Sequence, residues 1–219
     1  LDLIAKYGAD GMRVAMLMST SAGNDVMFDE ALCEQGRNFC NKIWNAYRLV
    51  NMWEVDNAIS QPDYAKEAIS WFDEVMLERI ERVHHNMAQY RISEAFTELY
   101  RLFWDDFSGW YLEMVKPAYQ CPIDAETIAR TKHYFDQLLR LLHPFMPFVT
   151  EEIWQDLKPE KSCISIVVAQ QPKSERKADE QILARFAVAQ EVVSSIRNIR
   201  KQKNIAQKES ITLNYIADD

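Results

Sequence analysis

Glycine and proline are scarce in this chain, five and seven among 219 residues. A strand-rich sandwich or barrel needs a tight turn about every ten residues, and so few turn formers do not supply them. Cysteine is scarce too. Cys33, Cys40, Cys121 and Cys163 form no Cys-x-x-Cys pair and lie among apolar residues, so free buried thiols in a reducing cytosol are expected and no zinc site is. No apolar run approaches the roughly 18 residues a membrane-spanning helix requires, and the first residues lack the basic-then-apolar order of a signal peptide. The chain opens on Leu1 rather than Met, as expected of a piece excised from a longer protein.

Catalytic constellations are missing as well. His84, His85, His133 and His143 make no His-x-x-x-His pair, and there is neither a Gly-x-Ser-x-Gly elbow nor a glycine-rich phosphate loop. The adjacent pairs Asp105-Asp106 and Glu151-Glu152 are turned to different directions by a helix, so neither can act as a cooperating acid and base. No catalytic, cofactor-binding or metal-binding residue is therefore expected. Positive charge is also short: 25 Lys and Arg against 33 Asp and Glu give a net charge of −8 and a pI near 5.1, which argues against a generic nucleic-acid coat. One segment runs the other way. Between Arg185 and Lys208 six basic residues face a single acid, Glu191.

What the chain has is apolar and aromatic periodicity, with 48% hydrophobic and 11% aromatic residues. Residues 9–18 read as a helix that is apolar almost all round, followed by a loop centred on Ala22-Gly23-Asn24-Asp25. Asp29 is a plausible N-cap for a helix in which Leu32, Gly36, Phe39, Ile43, Tyr47 and Val50 recur at spacings of three and four, with Gly36 letting a neighbour approach closely. Further long helices are expected over 64–90, from a cap at Ser93 to Pro117, and from Asp124 to His143-Pro144. A short one restarts at Thr150. The β-branched run in Cys163–Ala169 and the segment Ile211–Ile216 read as strands, with a polar linker at 170–177 and a helix over 179–203. The fold class is thus mainly α: a helical bundle with a small α/β appendage, cut short, at the C-terminus. Its parts are a connector at 1–28, the bundle at 29–169, and a linker, basic helix and start of the α/β unit at 170–219.

One helix face stands out. Arg37, Asn41, Asn45 and Arg48 recur at helical spacing away from the apolar stripe, flanked by Asn38 and Lys42. Amide and guanidinium groups match the edges of unpaired RNA bases, and the planar Arg fork suits phosphates. The same residues could instead cap or bridge neighbouring helices, with Arg37 paired to a carboxylate. Arg197, Arg200, Lys201 and Lys203, within two turns, could contact phosphates or merely complement the helix dipole. Of six tryptophans, Trp104, Trp110 and Trp154 read as core, and Trp53 is the best exposed candidate to stack a base. A helical scaffold for protein partners fits the composition equally well.

Several motifs in order resemble a known family. Tyr7-Gly8-Ala9-Asp10-Gly11-Met12-Arg13, Gly23-Asn24-Asp25 with Phe28-Asp29-Glu30, Arg37 to Ala46, Trp110-Tyr111-Leu112-Glu113, Leu142 to Trp154 and Ile196 to Arg200 are similar to the part of class I aminoacyl-tRNA synthetases that follows the catalytic body. Within the valine/isoleucine/leucine group, the valyl enzymes are the better match. The resemblance implies a helical anticodon-binding bundle, with Arg37, Asn41, Lys42, Asn45, Arg48, Arg197 and Arg200 as tRNA-binding candidates. It implies tRNA(Val) and the catalytic and editing domains of the same polypeptide as partners, a monomer, no membrane, and the cytoplasm. For the intact enzyme it implies ATP with magnesium, attachment of valine to tRNA and hydrolysis of mischarged tRNA. Both reactions are expected upstream of Leu1, so the fragment itself is not expected to be catalytic and needs no cofactor. The equivalent domain of an isoleucyl or leucyl enzyme is the nearer alternative, and the protein scaffold the more distant one.

Overall fold

Apolar residues spaced three and four apart fold into helices almost everywhere the periodicity asks for them. The computed structural model describes residues 2–19, 29–158, 164–206 and 208–214. In chain order these form α1 (Asp2–Tyr7), α2 (Ala9–Ser19), α3 (Glu30–Asn51), β1 (Val55–Asp56), α4 (Asp63–Ala88), α5 (Ile92–Arg101), a π-helix (Leu102–Tyr111), α6 (Leu112–Val115), β2 (Ile123–Asp124), α7 (Ala125–Leu142), α8 (Pro147–Leu157), a 3₁₀ turn (Ile166–Val168) and α9 (Glu180–Gln202). The chain divides into two compact units, Leu1–Ala178 and Asp179–Asp219.

Aspartates start three of the helices as their positions suggest. Asp29 accepts from the Ala31 N–H at 2.9 Å, Asp124 from Thr127 at 2.8 Å, and Asp179 from Gln181 at 2.9 Å, each satisfying a backbone donor that the first helical turn cannot. In the first unit Phe39 from α3, Phe72 from α4, Phe96 from α5, Phe103 and Phe107 from the π-helix and Phe135 from α7 are fully or almost fully buried and meet largely edge-on. Aromatic edges against faces gain about 0.5–1.5 kcal/mol per pair beyond burial, which makes this cluster the heart of the bundle. The single sheet of the described residues is minimal: β1 and β2 pair in parallel, Val55 opposite Ile123 and Asp56 opposite Asp124.

The entry helices lock onto the bundle at two places. α2 crosses α3 where Gly11 faces Gly36, so tightly that a Cβ on Gly36 would lie 2.5 Å from the Gly11 carbonyl oxygen. The close approach expected of Gly36 is therefore present, and its partner is another glycine. One residue before Gly11 on α2, the buried Asp10 carboxylate accepts from the backbone N–H groups of Val149 at 2.7 Å and Phe148 at 3.4 Å. Arg13 donates to the carbonyls of Phe145 at 3.0 Å and Pro144 at 3.1 Å. α2 thus caps α8 from outside its own sequence neighbourhood and holds the proline corner before it.

Several expectations need correction. The short helix begins at Pro147 rather than Thr150, because Asp10 supplies the cap and proline suits the first helical position. Ser93 caps nothing: α4 ends with Tyr90 at φ 58° and Arg91 N–H bonded to the Asn86 carbonyl, and this turn feeds directly into α5 at Ile92. The single helix expected up to Pro117 is split by the π-helix, in which Leu112 N–H reaches back five residues to the Phe107 carbonyl. Residues 164–169 form no strand: Ile166 is buried while Val167 and Val168 are both exposed, which breaks the alternation a half-buried strand needs, and Ser165 Oγ caps the resulting 3₁₀ turn. Cys163 and the loop at Ala22-Gly23-Asn24-Asp25 lie outside the described residues, and so does Phe28.

Residues 170–178 run along the first unit. Arg140 donates to the Gln170 carbonyl at 2.8 Å, Gln171 Nε2 donates to the Arg140 carbonyl at 2.8 Å, and Arg176 makes a two-pronged pair with the buried Glu74 at 2.5 and 2.7 Å. The second unit is α9 and the turn after it. Asn204, at φ 52°, closes the helix with Ile205 N–H on the Arg200 carbonyl. No residue of α9 is buried, and the described residues 211–214 form no strand, with Tyr215 and Ile216 outside the described set.

Candidate nucleic-acid interface

α3 carries its candidates on a face set by helical spacing. At 100° per residue, Asn38, Asn41, Asn45 and Arg48 fall within an arc of about 80°, and the next residue on the same line is Met52. The opposite face, with Cys33, Gly36, Phe39, Ile43, Tyr47 and Val50, is buried. All four polar residues are exposed, and among the described residues none of their side chains has a hydrogen-bond or ionic partner. The alternative in which the asparagines cap or bridge neighbouring helices therefore loses its support. Between Asn38 and Arg48 the row covers about 15 Å of helix.

Two flanking cations are more occupied. Arg37 is half-buried, pairs with Glu34 at 3.5 Å and lies 5.4 Å over the Tyr7 ring. Lys42 Nζ sits 5.3 Å over the Trp104 ring, which also stacks nearly parallel on Tyr100 at 5.5 Å and meets Phe39 at 6.2 Å. Both cations remain within the polar face, each oriented by an aromatic ring. In the second unit, Arg200 donates to the carbonyls of Ala206 at 2.7 Å and Glu209 at 2.8 Å, so its guanidinium is engaged in closing the turn after α9. Arg197 is exposed on the same helix.

The tryptophans divide differently from expectation. Trp71 and Trp154 are buried, with Trp154 donating to Asp136 at 2.8 Å, whereas Trp104, Trp110 and Trp53 are only half-buried. Trp44 was missed: it is exposed beside the Arg37 and Arg48 positions of α3 and meets Tyr47 at 6.1 Å between ring centroids. Plotting α3 on a helical wheel places it there. A second feature escaped too. Leu49, Met52, Trp53 and Glu54 at the end of α3 face Pro117 to Cys121 across a cavity of about 540 Å³. Nothing periodic in Lys116 to Pro122 signals such a wall.

Two further titratable groups of α3 are shifted by burial. Tyr47 donates to Asp156 and accepts from Asn51 at 2.6 Å, and burial followed by the Asp156 contact pushes its phenol up to about 12. Burial pushes Cys40 up to about 12 as well, which leaves an unreactive thiol. Among the described residues no group of three or more His, Cys, Asp or Glu side chains is placed to hold a metal ion, and no helix is long and apolar enough to cross a membrane.

Comparison with known proteins adds a family. A family model for the anticodon-binding domain of tRNA ligases matches residues 70–215. The valine–tRNA ligase of Parabacteroides distasonis is 51% identical across the whole chain, which covers 25% of that protein. The valine–tRNA ligase of Phocaeicola vulgatus is 53% identical over 99% of the chain and 24% of its own length, and that of Bacillus thuringiensis subsp. konkukian is 39% identical over all of the chain and 25% of its own length. The chain thus spans about a quarter of the curated relatives it matches. Among solved structures, a LeuRS of Agrobacterium radiobacter in a ternary complex with tRNA and LeuAMS superposes with a TM-score of 0.55 at 15% identity, covering 83% of this chain and 21% of that one. That likeness shows the fold.

Proposed function

The chain belongs to the anticodon-binding domains of tRNA ligases, and from this we propose that it is the part of a valine–tRNA ligase that grips the anticodon arm of tRNA(Val). The observation that carries the reading is the row Asn38, Asn41, Asn45 and Arg48, exposed and partnerless on one face of α3. A row of unsatisfied amides ending in a guanidinium suits a ligand with donors and acceptors on flat edges and charge on its backbone, which describes an unpaired stretch of RNA. Arg37 and Lys42 flank it, and their aromatic contacts limit the side-chain entropy lost on binding. Arg197 and Arg200 form a second, weaker candidate on α9.

The intact ligase would attach valine to tRNA(Val) with ATP and magnesium and hydrolyse mischarged tRNA, as a cytoplasmic monomer. This chain's partners would then be the tRNA and the catalytic and editing domains of its own polypeptide. Its sequence includes no glycine-rich phosphate loop, so no step of nucleotide chemistry is assigned to its residues.

Titrating the chain with tRNA(Val) at rising salt is the test. Binding should weaken as salt rises, and Arg48→Ala should flatten the log–log slope by roughly 0.7–0.9, the share of one phosphate contact. Asn41→Ala combined with Asn45→Ala should lower affinity without changing that slope. Salt-independent binding, or variants indistinguishable from the parent chain, would overturn the assignment to α3.

A further inference from the structure

We propose that the trough between α4 and α7, roofed by residues 173–176, binds an apolar α-amino acid in its zwitterionic form. The site lies on other helices than the α3 row and does not depend on the anticodon-arm reading.

Helical spacing builds the trough. Asp73, Met76, Leu77 and Ile80 fall on one stripe of α4, and Arg130, His133 and Gln137 on one stripe of α7, each advancing by three or four residues. Lys173, Glu175 and Arg176, from the segment that runs along the first unit, complete a cavity of about 480 Å³, a volume within the range of small-ligand sites. Its floor is apolar, with Met76 and Ile80 buried and Leu77 half-buried. The roof is fastened in place: both prongs of Arg176 hold the buried Glu74, and Ser174 Oγ donates to the Arg176 carbonyl at 2.7 Å. A ligand therefore meets a site that is already formed.

The ligand's chemistry follows from which charges are already answered. Arg130 pairs with Asp73 and donates to the Tyr134 hydroxyl at 3.1 Å, and Arg176 pairs with Glu74, so these four charges cancel. Lys173 and Glu175 stand two residues apart and form no ion pair, with each other or with any other described residue. One cation and one anion are left over. Beside them, the His133 ring and the Gln137 amide have no hydrogen-bond partner among the described residues. Partial burial, then the Arg130 charge, hold the His133 imidazole below its ordinary value, so that at neutral pH it offers one donor and one acceptor.

A carboxylate for Lys173, an ammonium for Glu175 and an apolar side chain for Met76, Leu77 and Ile80 are the parts of an apolar amino acid. A phosphate dianion suits the trough less well, because Glu175 repels it. A wholly apolar molecule would desolvate both charges and give neither a partner.

Calorimetric titration of the full chain with phenylalanine, 3-phenylpropionate and phenethylamine separates the two charges, since the second ligand lacks the ammonium and the third the carboxylate. Phenylalanine should bind about tenfold tighter than either, the scale of one charge-assisted hydrogen bond. Lys173→Gln should abolish the preference over phenethylamine and keep the preference over 3-phenylpropionate, and Glu175→Gln should do the reverse. Both residues are exposed, so neither substitution disturbs the core. NMR signals of the His133 ring and the Gln137 side-chain amide should move as phenylalanine is added. Tightest binding by 3-phenylpropionate would leave a simple anion site and overturn the zwitterion. Absence of saturable binding by phenylalanine and leucine, or ligand preferences that both variants retain, would overturn the site itself.

Discussion

A methyl group added at Gly36 would meet the Gly11 carbonyl oxygen at 2.5 Å and Val14 Cβ at 3.0 Å, with backbone on one side and a buried valine on the other. Neither can yield without moving a helix, so Gly36→Ala should cost about 1–3 kcal/mol in urea unfolding. Gly11→Ala, whose nearest contact would be 3.2 Å, should cost less. The need for a small residue at Gly36 was legible because it interrupts an otherwise bulky stripe. The role of Asp10 was not, since a cap is sought within a few residues of the helix it serves, whereas its donors lie at Phe148 and Val149. Burial raises the Asp10 carboxyl while those two N–H groups hold it down, so the group is bound to the helix end it caps.

The π-helix defeated the periodic reading for a different reason. Phe103, Phe107 and Tyr111 keep a spacing of four whether the backbone bonds to the fourth or the fifth residue, so apolar periodicity does not distinguish the two. What pins the element is Arg79 on α4, which pairs with Glu98 of α5 at 2.6 Å and Asp106 of the π-helix at 3.1 Å. Burial, only partly countered by Arg79, pushes the Asp106 carboxyl from 3.8 up to about 6. The folded chain then holds this proton more tightly than the unfolded chain, so the contribution of Asp106 is fullest at low pH and declines as pH rises between about 4 and 6. Urea titrations across that window should show the decline, on the order of 3 kcal/mol, in the difference between the parent chain and Asp106→Asn. An identical pH slope in both proteins would remove Asp106 as its source. Helix identity and most boundaries were readable from spacing, while β1 and β2, two residues each, were too short to leave any pattern.

The buried side chains of the described structure all belong to the first unit, and α9 contributes none. A chain ending at Ala178 should therefore unfold as cooperatively as the full chain and within a few degrees of its midpoint, which differential scanning calorimetry would show. For the same reason α9 was legible as a helix, from its Asp179 cap and its length, while its apolar residues gave no clue to a core they do not enter. The candidate interface was half legible. Amides repeating at helical spacing gave the α3 row, whereas the cavity lined by Met52 and Trp53 joins that helix to a turn more than sixty residues later, an adjacency no local pattern encodes. The clasp of Asp10 and Arg13 on Pro144 to Val149 has a bearing on how such a chain is made. Synthesis delivers α2 long before α8, so the second helix leaves the ribosome with its carboxylate and guanidinium unanswered and waits through six further helices, the π-helix among them, for its lock. Closure of the first unit is thereby a late event, fastened by nearly the last segment that belongs to it.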